Sequence, residues 1–228
     1  MDTTSTNADV AVVIPALNEA TVISEVITGL RAAHFPLVIL VDDGSTDGTS
    51  GVARSAGARV VRHGVNLGQG ASLRTGITAA LRLPQVQWVV TFDADGQHQP
   101  DDAAALMERA RQGDVDIVLG TRFGGQKVEA GPAKRLLLKA AVLYTRAETK
   151  LPLTDTHNGL RAMSRGFASS LEIRERGMGH ATEVLDHVAH SGARWVEVPV
   201  HIRYTDYSKA KGQPMINSVN ILFDSLFR

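Results

Sequence analysis

Asp93 and Asp95 stand two residues apart in the stretch Thr91-Phe-Asp93-Ala-Asp95-Gly-Gln97-His98. Two carboxylates at that spacing can both turn towards one hard cation, with Gln97 or His98 as a further ligand. An oxygen-rich site with open positions suits Mg²⁺ or Mn²⁺ shared with substrate phosphates. Asp-x-Asp arises by chance in many loops, so its position matters: an apolar run, residues 88–92, leads directly into it. A second acidic stretch is Val41-Asp42-Asp43-Gly44-Ser45-Thr46-Asp47-Gly48. It reads as a solvated turn, since these residue types favour turns. It also reads as a set of acids that bond ribose hydroxyls and base edges, or as a receiver-type acidic pocket. The last of these wants a Lys after the fifth strand, where Thr121 and Arg122 stand instead. A third stretch, Asn66-Leu-Gly68-Gln-Gly70-Ala-Ser-Leu-Arg74-Thr-Gly76, places glycines at the start of a helix. Backbone N–H groups there are free to meet an anion, and Arg74 adds a fork of donors. The pattern is neither a P-loop nor a dinucleotide Gly-x-Gly-x-x-Gly, which counts against an ATPase or a dehydrogenase.

These stretches need strands and helices to hold them. Apolar runs at residues 10–14, 37–41, 58–61, 88–92 and 115–119 read as strands. Helical periodicity follows Asn18, taken as an N-cap, with Val22, Ile23, Val26, Ile27 and Leu30 on one face. Further helices read as a short one ending at Ala56, then residues 70–83 and 101–111. Strands that are apolar throughout and alternate with helices predict a mainly parallel α/β sheet, Rossmann-like and covered on both faces. In such sheets ligands gather beyond the carboxyl ends of the strands, and the polar loops lie there. Beyond Gly125 the spacing predicts a helix over 132–149, a short strand over 160–163, a helix over 181–190 and a strand over 195–200. Residues 204–213 are polar and irregular. Pro214 opens a last amphipathic helix with Met215, Val219, Leu222, Phe223 and Leu226 along one face. No repeat or linker divides the chain, so one domain over 1–228 is expected, with a 1–125 half and a 126–228 half.

Composition narrows the function classes. The 228 residues carry 24 Lys+Arg and 24 Asp+Glu, so the formal charge is zero, which argues against a nucleic-acid coat. The zero is split: residues 1–116 hold 14 acids and 8 bases (−6), and residues 117–228 hold 10 and 16 (+6). Absence of Cys excludes disulfides and thiolate metal sites and suits a reducing, cytoplasmic setting. The polar N-terminus lacks a signal-peptide layout, and no apolar run approaches the ~18–20 residues that span a bilayer. Attachment to the cytoplasmic face of a membrane is compatible with this.

The order of the motifs is more specific than any one of them. Pro15-Ala-Leu-Asn18-Glu19 comes first, then Asp42-Asp43-Gly-Ser and the Asn66/Gly68/Gly70/Arg74/Gly76 pattern. Asp93-Ala-Asp95-Gly-Gln97-His98 and Gly120-Thr-Arg122-Phe123 follow. This series resembles the family-2 glycosyltransferases of the GT-A fold, and within them the dolichol-phosphate mannosyltransferase group and its bacterial polyprenyl-phosphate relatives. The resemblance continues through Asp155-Thr-His-Asn-Gly159-Leu-Arg161 and Val196-Glu197-Val-Pro199, covering residues 10–203. It implies that Pro15, Glu19, Asp42 and Asp43 contact the base and ribose of a nucleotide-sugar donor, UDP- or GDP-linked. Asn18, Gly68, Gly70, Arg74 and Asp93 complete that donor surface. It implies that Asp93, Asp95 and Gln97 hold Mg²⁺ or Mn²⁺ against the donor diphosphate. Arg122 and Arg203 would lie near phosphates, and Asp155 near the donor sugar. Cations fixed on a leaving diphosphate stabilise charge that grows in the transition state.

The acceptor is read in two ways. A phosphate monoester is already an anion and needs cations to bind it, whereas a hydroxyl needs a base within reach. Arg135, Lys139 and Arg146 share one helix face, and Leu136, Ala140, Leu143 and Tyr144 line another. Such a helix could grip a lipid phosphate at a membrane surface or simply pack on the sheet. Relatives carry an Arg followed four residues on by a Ser at this place; here Arg135 and Lys139 stand there. Lys209, with Lys211, suggests a lid over phosphates. Glu183, in His180-Ala-Thr-Glu183, stands where hydroxyl-directed relatives place their catalytic acid; it also reads as an ordinary first-turn Glu. The expected catalytic set is thus Asp95, Arg122, Asp155 and Glu183. The expected reaction is metal-dependent, inverting transfer of one sugar to a polyprenyl phosphate. The alternatives are a hydroxyl acceptor with Glu183 as base, and a non-catalytic nucleotide-sugar-binding subunit. The closing helix would dock on a membrane, on a partner subunit or second copy, or on the chain's own domain.

Overall fold

The computed structural model describes residues 7–122, 151–156 and 158–203. Seven strands form one sheet: β1 (Val10–Ala16), β2 (Leu37–Asp42), β3 (Arg59–Arg62), β4 (Trp88–Thr91), β5 (Ile117–Thr121), β6 (Arg161–Ser164) and β7 (Trp195–Pro199). Their order is β3-β2-β1-β4-β6-β5-β7. β1, β2, β3 and β4 run parallel, as do β5 and β7, while β6 is antiparallel to both its neighbours. The expected short strand at 160–163 is therefore present as β6 and interrupts the parallel order between β4 and β5.

Alternation along the strands sends side chains to two cores. Val10, Val12 and Ile14 of β1, with Val38, Leu40 and Val90, pack under α1 (Ile23–Ala32), α2 (Thr49–Ser55) and α4 (Pro100–Ala110). Ala11 and Val13, with Leu37, Ile39 and Val89, pack under α3 (Gln69–Leu81), α5 (Arg165–Ser170) and α6 (His180–Ser191). Helices cover both faces, so β1 and β2 are buried at every position and read as unbroken apolar runs. Trp88 and Trp195 pack against the two cores, half-buried.

Two local expectations are corrected. Asn18 does not cap a helix: α1 begins at Ile23 behind Val22, whose side chain makes no capping bond. Asn18 instead adopts a left-handed φ of 54° and ties two loops together. Its amide receives the Thr46 N–H at 2.9 Å, and its own N–H donates to Ser45 Oγ at 2.9 Å. Asn tolerates that conformation better than most residues. The short helix α5 was not expected from the apolar spacing, although its signal was present: Ser164 caps it, accepting from the Phe167 N–H at 3.2 Å. No helix among the described residues is long and apolar enough to cross a membrane. The expected helices over 132–149 and from Pro214, with Arg135, Lys139 and Lys209, lie outside the described residues.

Candidate active site

The carboxyl ends of β1, β2, β4 and β5 bring the sequence motifs to one edge of the sheet. At β2, both acids are tied into the loop that follows. Asp42, 1% exposed, accepts the Ser45 N–H at 2.8 Å and the Ser50 hydroxyl, with Arg62 3.6 Å away. Burial acts to raise its carboxyl, but the bonds from Ser45 and Ser50 and the Arg62 charge outweigh it and hold the group below 3.8. Asp43 accepts the N–H groups of Leu67 at 2.9 Å and Gly68 at 2.8 Å, and meets His63 Nδ1 at 2.7 Å. Asp47 receives the Ala20 N–H at 3.0 Å and caps Thr49 at 3.1 Å. The Glu19 N–H donates to Thr49 Oγ1 at 2.9 Å, so the Asn18–Glu19 loop and the Asp42–Asp47 loop form one hydrogen-bonded unit.

The acidic pair at β4 is built differently. Asp93 Oδ2 lies 3.0 Å from His98 Nε2, and Oδ1 lies 3.4 Å from the Gln69 amide. Burial acts to raise Asp93, but the His98 hydrogen bond and the charges of His98, His180 and Arg161 hold it below 3.8. Asp95 accepts the Gln97 N–H at 3.0 Å. Burial and the Asp93 charge push its carboxyl above 3.8. His98 is 3% exposed at its side chain and stands edge-on to Phe92, so it supports Asp93 from behind. Gly159 is required here: an added Cβ would lie 2.5 and 2.7 Å from the Asp93 carboxylate oxygens. The Gly159 carbonyl accepts the Thr91 hydroxyl at 2.6 Å, which fixes this close approach. Among the described residues no three His, Asp or Glu side chains converge on one point. Two mutually repelling carboxylates with open positions fit a divalent cation completed by a diphosphate.

At β5 the Arg122 backbone N–H, Nε and Nη2 reach Asp155 at 3.0, 2.7 and 2.6 Å, a bidentate pair with the acid 1% exposed at its side chain. Glu197 of β7 holds the Asp155 segment, accepting the N–H groups of Thr154 at 2.8 Å and Asp155 at 3.1 Å. Arg161 of β6 is buried; burial lowers its guanidinium to about 10, against the opposing pull of Asp93 and Asp155. Glu197, Gly159 and Arg161 were not assigned roles from the sequence. A lone carboxylate inside the apolar strand Val196-Glu197-Val was the available signal for the first.

Other expected residues are placed less directly. The N–H groups of both glycines at the start of α3 are engaged within the chain. Gly68 donates to Asp43, and the Gly70 N–H donates to the Arg176 carbonyl at 2.7 Å. Gly70 is needed because a Cβ there would overlap the Glu175 carbonyl. The exposed Arg74 donates to the Ile173 carbonyl at 3.4 Å. Glu183 Oε2 accepts the N–H groups of Arg174 and Glu175, both at 3.0 Å, and so secures the segment before α6. The Arg203 N–H donates to the Gln97 carbonyl at 2.9 Å, which brings the end of the described chain onto the Asp95–Gln97 loop. Pro15 pairs with Val41 in β1, beyond Val13, where the pairing with β4 ends; the ring therefore costs no bond on that side.

A sheet of this order, with an Asp-x-Asp loop and a nucleoside-type acidic loop at its carboxyl edge, defines a GT-A glycosyltransferase. The profile of Glycosyl transferase family 2 matches residues 11–171, and the chain belongs to that family. It is an enzyme that takes a sugar from a nucleoside-diphosphate donor, which sets aside the reading as a non-catalytic subunit. It is 28% identical over 232 residues to the UDP-N-acetylglucosamine–dolichyl-phosphate N-acetylglucosaminyltransferase of Methanococcus voltae, covering 92% of each chain. It is 30% identical over 206 residues to the undecaprenyl-phosphate mannosyltransferase of Micrococcus luteus, covering 84% of this chain and 82% of that one. Among solved structures it is similar to glucosyl-3-phosphoglycerate synthase from Mycobacterium tuberculosis in complex with Mn²⁺, UDP-glucose and phosphoglyceric acid. The TM-score is 0.69 at 25% identity, covering 95% of this chain and 79% of that one.

Proposed function

We propose that this chain transfers one sugar, with inversion, from a nucleoside-diphosphate sugar to a polyprenyl phosphate, with a divalent cation on Asp93, Asp95 and Gln97. The observation that carries the choice of acceptor is the engagement of Glu183. Its carboxylate is committed to two backbone N–H groups, so the residue nominated as base for a hydroxyl acceptor is occupied in holding its loop. A phosphate monoester needs no such base. The relatives from Methanococcus voltae and Micrococcus luteus, both named for lipid-phosphate acceptors, support the same reading.

The chain's own groups act as follows. The linked Asn18–Glu19 and Asp42–Asp47 loops form a rigid seat for the nucleoside, with Pro15 and Glu19 at its edge. Because the oxygens of Asp42 and Asp43 are largely taken by internal donors, these acids shape the seat more than they bond the ligand. Arg122, oriented by Asp155, and Arg203 present positive charge to phosphates. Arg161 balances Asp93 and Asp155 from inside. An acceptor phosphate oxygen attacks the anomeric carbon as the bond to the diphosphate oxygen breaks, and the electron pair leaves with the diphosphate. A single in-line displacement inverts the centre, and no proton needs to be removed. The cation, when bound, supplies charge stabilisation to that leaving group.

The test is transfer by the purified chain from UDP- and GDP-sugars to undecaprenyl phosphate with Mg²⁺ or Mn²⁺, with the anomeric configuration of the product read by NMR. Inverted sugar-phosphate lipid, lost on chelation, is the expected product. Transfer to phosphoglyceric acid and not to the lipid would favour the hydroxyl reading, as does the ligand in the Mycobacterium tuberculosis enzyme. A retained configuration would overturn the mechanism.

A further inference from the structure

Asp102 stands in the first turn of α4, where an acid ordinarily serves the positive end of its own helix. Its hydrogen bonds go elsewhere. Both oxygens reach across the chain to His201: Oδ2 accepts the backbone N–H at 2.8 Å, and Oδ1 lies 3.0 Å from the ring Nδ1. Neither oxygen bonds the backbone of α4, whose start carries no side-chain cap. The Asp102 side chain is 6% exposed and that of His201 60%, so the acid lies beneath the segment it holds.

That segment joins three elements. Just beyond β7 the Val200 N–H donates to the Thr121 carbonyl at 2.9 Å, at the end of β5. His201 is held by Asp102 of α4, and the Arg203 N–H donates to the Gln97 carbonyl at 2.9 Å. The Gln99 amide reaches the same carbonyl at 3.5 Å, and the Gln97 N–H donates to Asp95 at 3.0 Å. The Gln97 backbone is therefore tied on both sides, while its side-chain amide makes no hydrogen bond among the described residues. A loop that turns at Gly96, with φ 73°, needs such ties to keep one geometry. The ties of Val200 and Arg203 run from backbone to backbone. Asp102 supplies the tie that depends on a side chain.

We propose that Asp102 is a positioning residue for the cation: by holding His201 it lays Arg203 on the Gln97 carbonyl and fixes the loop that offers Asp95 and Gln97. This rests on the reading of that loop as the cation's seat, to which it adds the group that keeps the ligands in place. Partners that orient a metal ligand matter about 10–100-fold in metal affinity. The clasp also joins the two sides of the site. β7 holds the Asp155 segment through Glu197, and the residues that follow β7 hold the cation loop.

The test is titration of the full chain with Mn²⁺ alone, free Mn²⁺ being read by its EPR signal, alongside hydrogen exchange at Gln97 and Arg203. Asp102→Ala should bind Mn²⁺ on the order of 10-fold more weakly, with faster exchange at both residues. Asp102→Asn should stay close to the parent. Its carbonyl oxygen still accepts the His201 N–H, and its amide donates to Nδ1 when the ring proton is on Nε2. Asp9→Ala is the control for general loosening, because it removes the 2.7 Å partner of Arg111 at the other end of α4. It should leave Mn²⁺ binding and both exchange rates unchanged. Parent-like Mn²⁺ affinity in Asp102→Ala, or an equal loss in Asp9→Ala, overturns the proposal. Gln97→Ala separates the proposal from the ligand set beneath it. If that variant binds Mn²⁺ like the parent while Asp102→Ala does not, the clasp stands, acting through Asp95, and Gln97 is removed from the ligands.

Discussion

The Asp42–Asp43 loop and the Asp93–Asp95 loop are alike in sequence: each follows a buried strand, and each offers paired acids and a glycine. Asp93, held by His98, resembles the acids of the first loop, and the contrast lies at Asp95. Around Asp42 and Asp43 the fold supplies donors, from the Ser45, Leu67 and Gly68 N–H groups to the Ser50 hydroxyl and His63. Around Asp95 it supplies one backbone N–H, burial and a second carboxylate, which together push the group's pKa upward. A carboxylate satisfied by internal donors stabilises the loop that bears it. One placed beside a like charge with few donors is held at a cost that a bound cation removes. Asp42 and Asp95 are thus told apart by their donors, not by their residue type.

Substitution at Asp95 should separate the two loops most strongly. Asp95→Asn is expected to reduce turnover on the order of 10³-fold by removing a ligand from the leaving-group cation. Without metal the variant should melt no lower than the parent. Steady-state rates and melting curves with and without Mn²⁺ read both effects, and a large loss of stability would place Asp95 with the scaffold. Gly159→Ala should come next. Its methyl group would meet the Asp93 carboxylate at 2.5 Å, and displacing a positioned group by about 1 Å can cost about 10²-fold in rate. Rescue at raised Mn²⁺ would mark the defect as one of cation binding.

Asp42→Ala should show the reverse profile. It leaves the Ser45 N–H and the Ser50 hydroxyl without their acceptor in a buried place, a loss on the order of 2–4 kcal/mol of stability. Urea unfolding reads this, while the rate per folded molecule should fall far less than for Asp95→Asn. A variant as stable as the parent would show that the loop does not depend on its acid.

How much of this was legible follows from the same distinction. The strands were readable because burial on both faces makes β1 and β2 apolar at every position, and the motifs were readable because they follow those strands directly. What the sequence could not show was where donors would come from. Asn18 precedes a helical run and resembles a cap, but its partners are Ser45 and Thr46, brought across from the next loop. Gly68 and Gly70 resemble an anion cradle, but their N–H groups are taken by Asp43 and Arg176. Glu183 resembles a base, but Arg174 and Glu175 occupy it. Each of these contacts is set by tertiary packing, which local spacing does not encode. The antiparallel insertion of β6 belongs to the same class, since four residues fix neither a partner nor a direction.

The smallest expected effect is also the most direct test of the contrast, because the two acids should change the pH dependence of stability with opposite signs. Asp42 is held below 3.8 in the folded chain. Its stabilisation is therefore complete above that ordinary value and is lost as pH falls through the folded value. Asp42→Asn should melt below the parent at neutral pH, with the difference shrinking towards pH 3. Asp95 is raised above 3.8, so the folded state disfavours its charge, and the penalty develops as pH rises through the interval between 3.8 and the folded value. Asp95→Asn, without metal, should melt slightly above the parent at neutral pH, and that gain should vanish in acid. Melting curves for the parent and both variants from neutral pH down to about pH 3 settle the matter, since the Asp95 change falls above 3.8 and the Asp42 change below it. Differences of the same sign would mean that the two loops are electrostatically equivalent. In that case the assignment of one to the scaffold and the other to the cation would have to rest on activity alone.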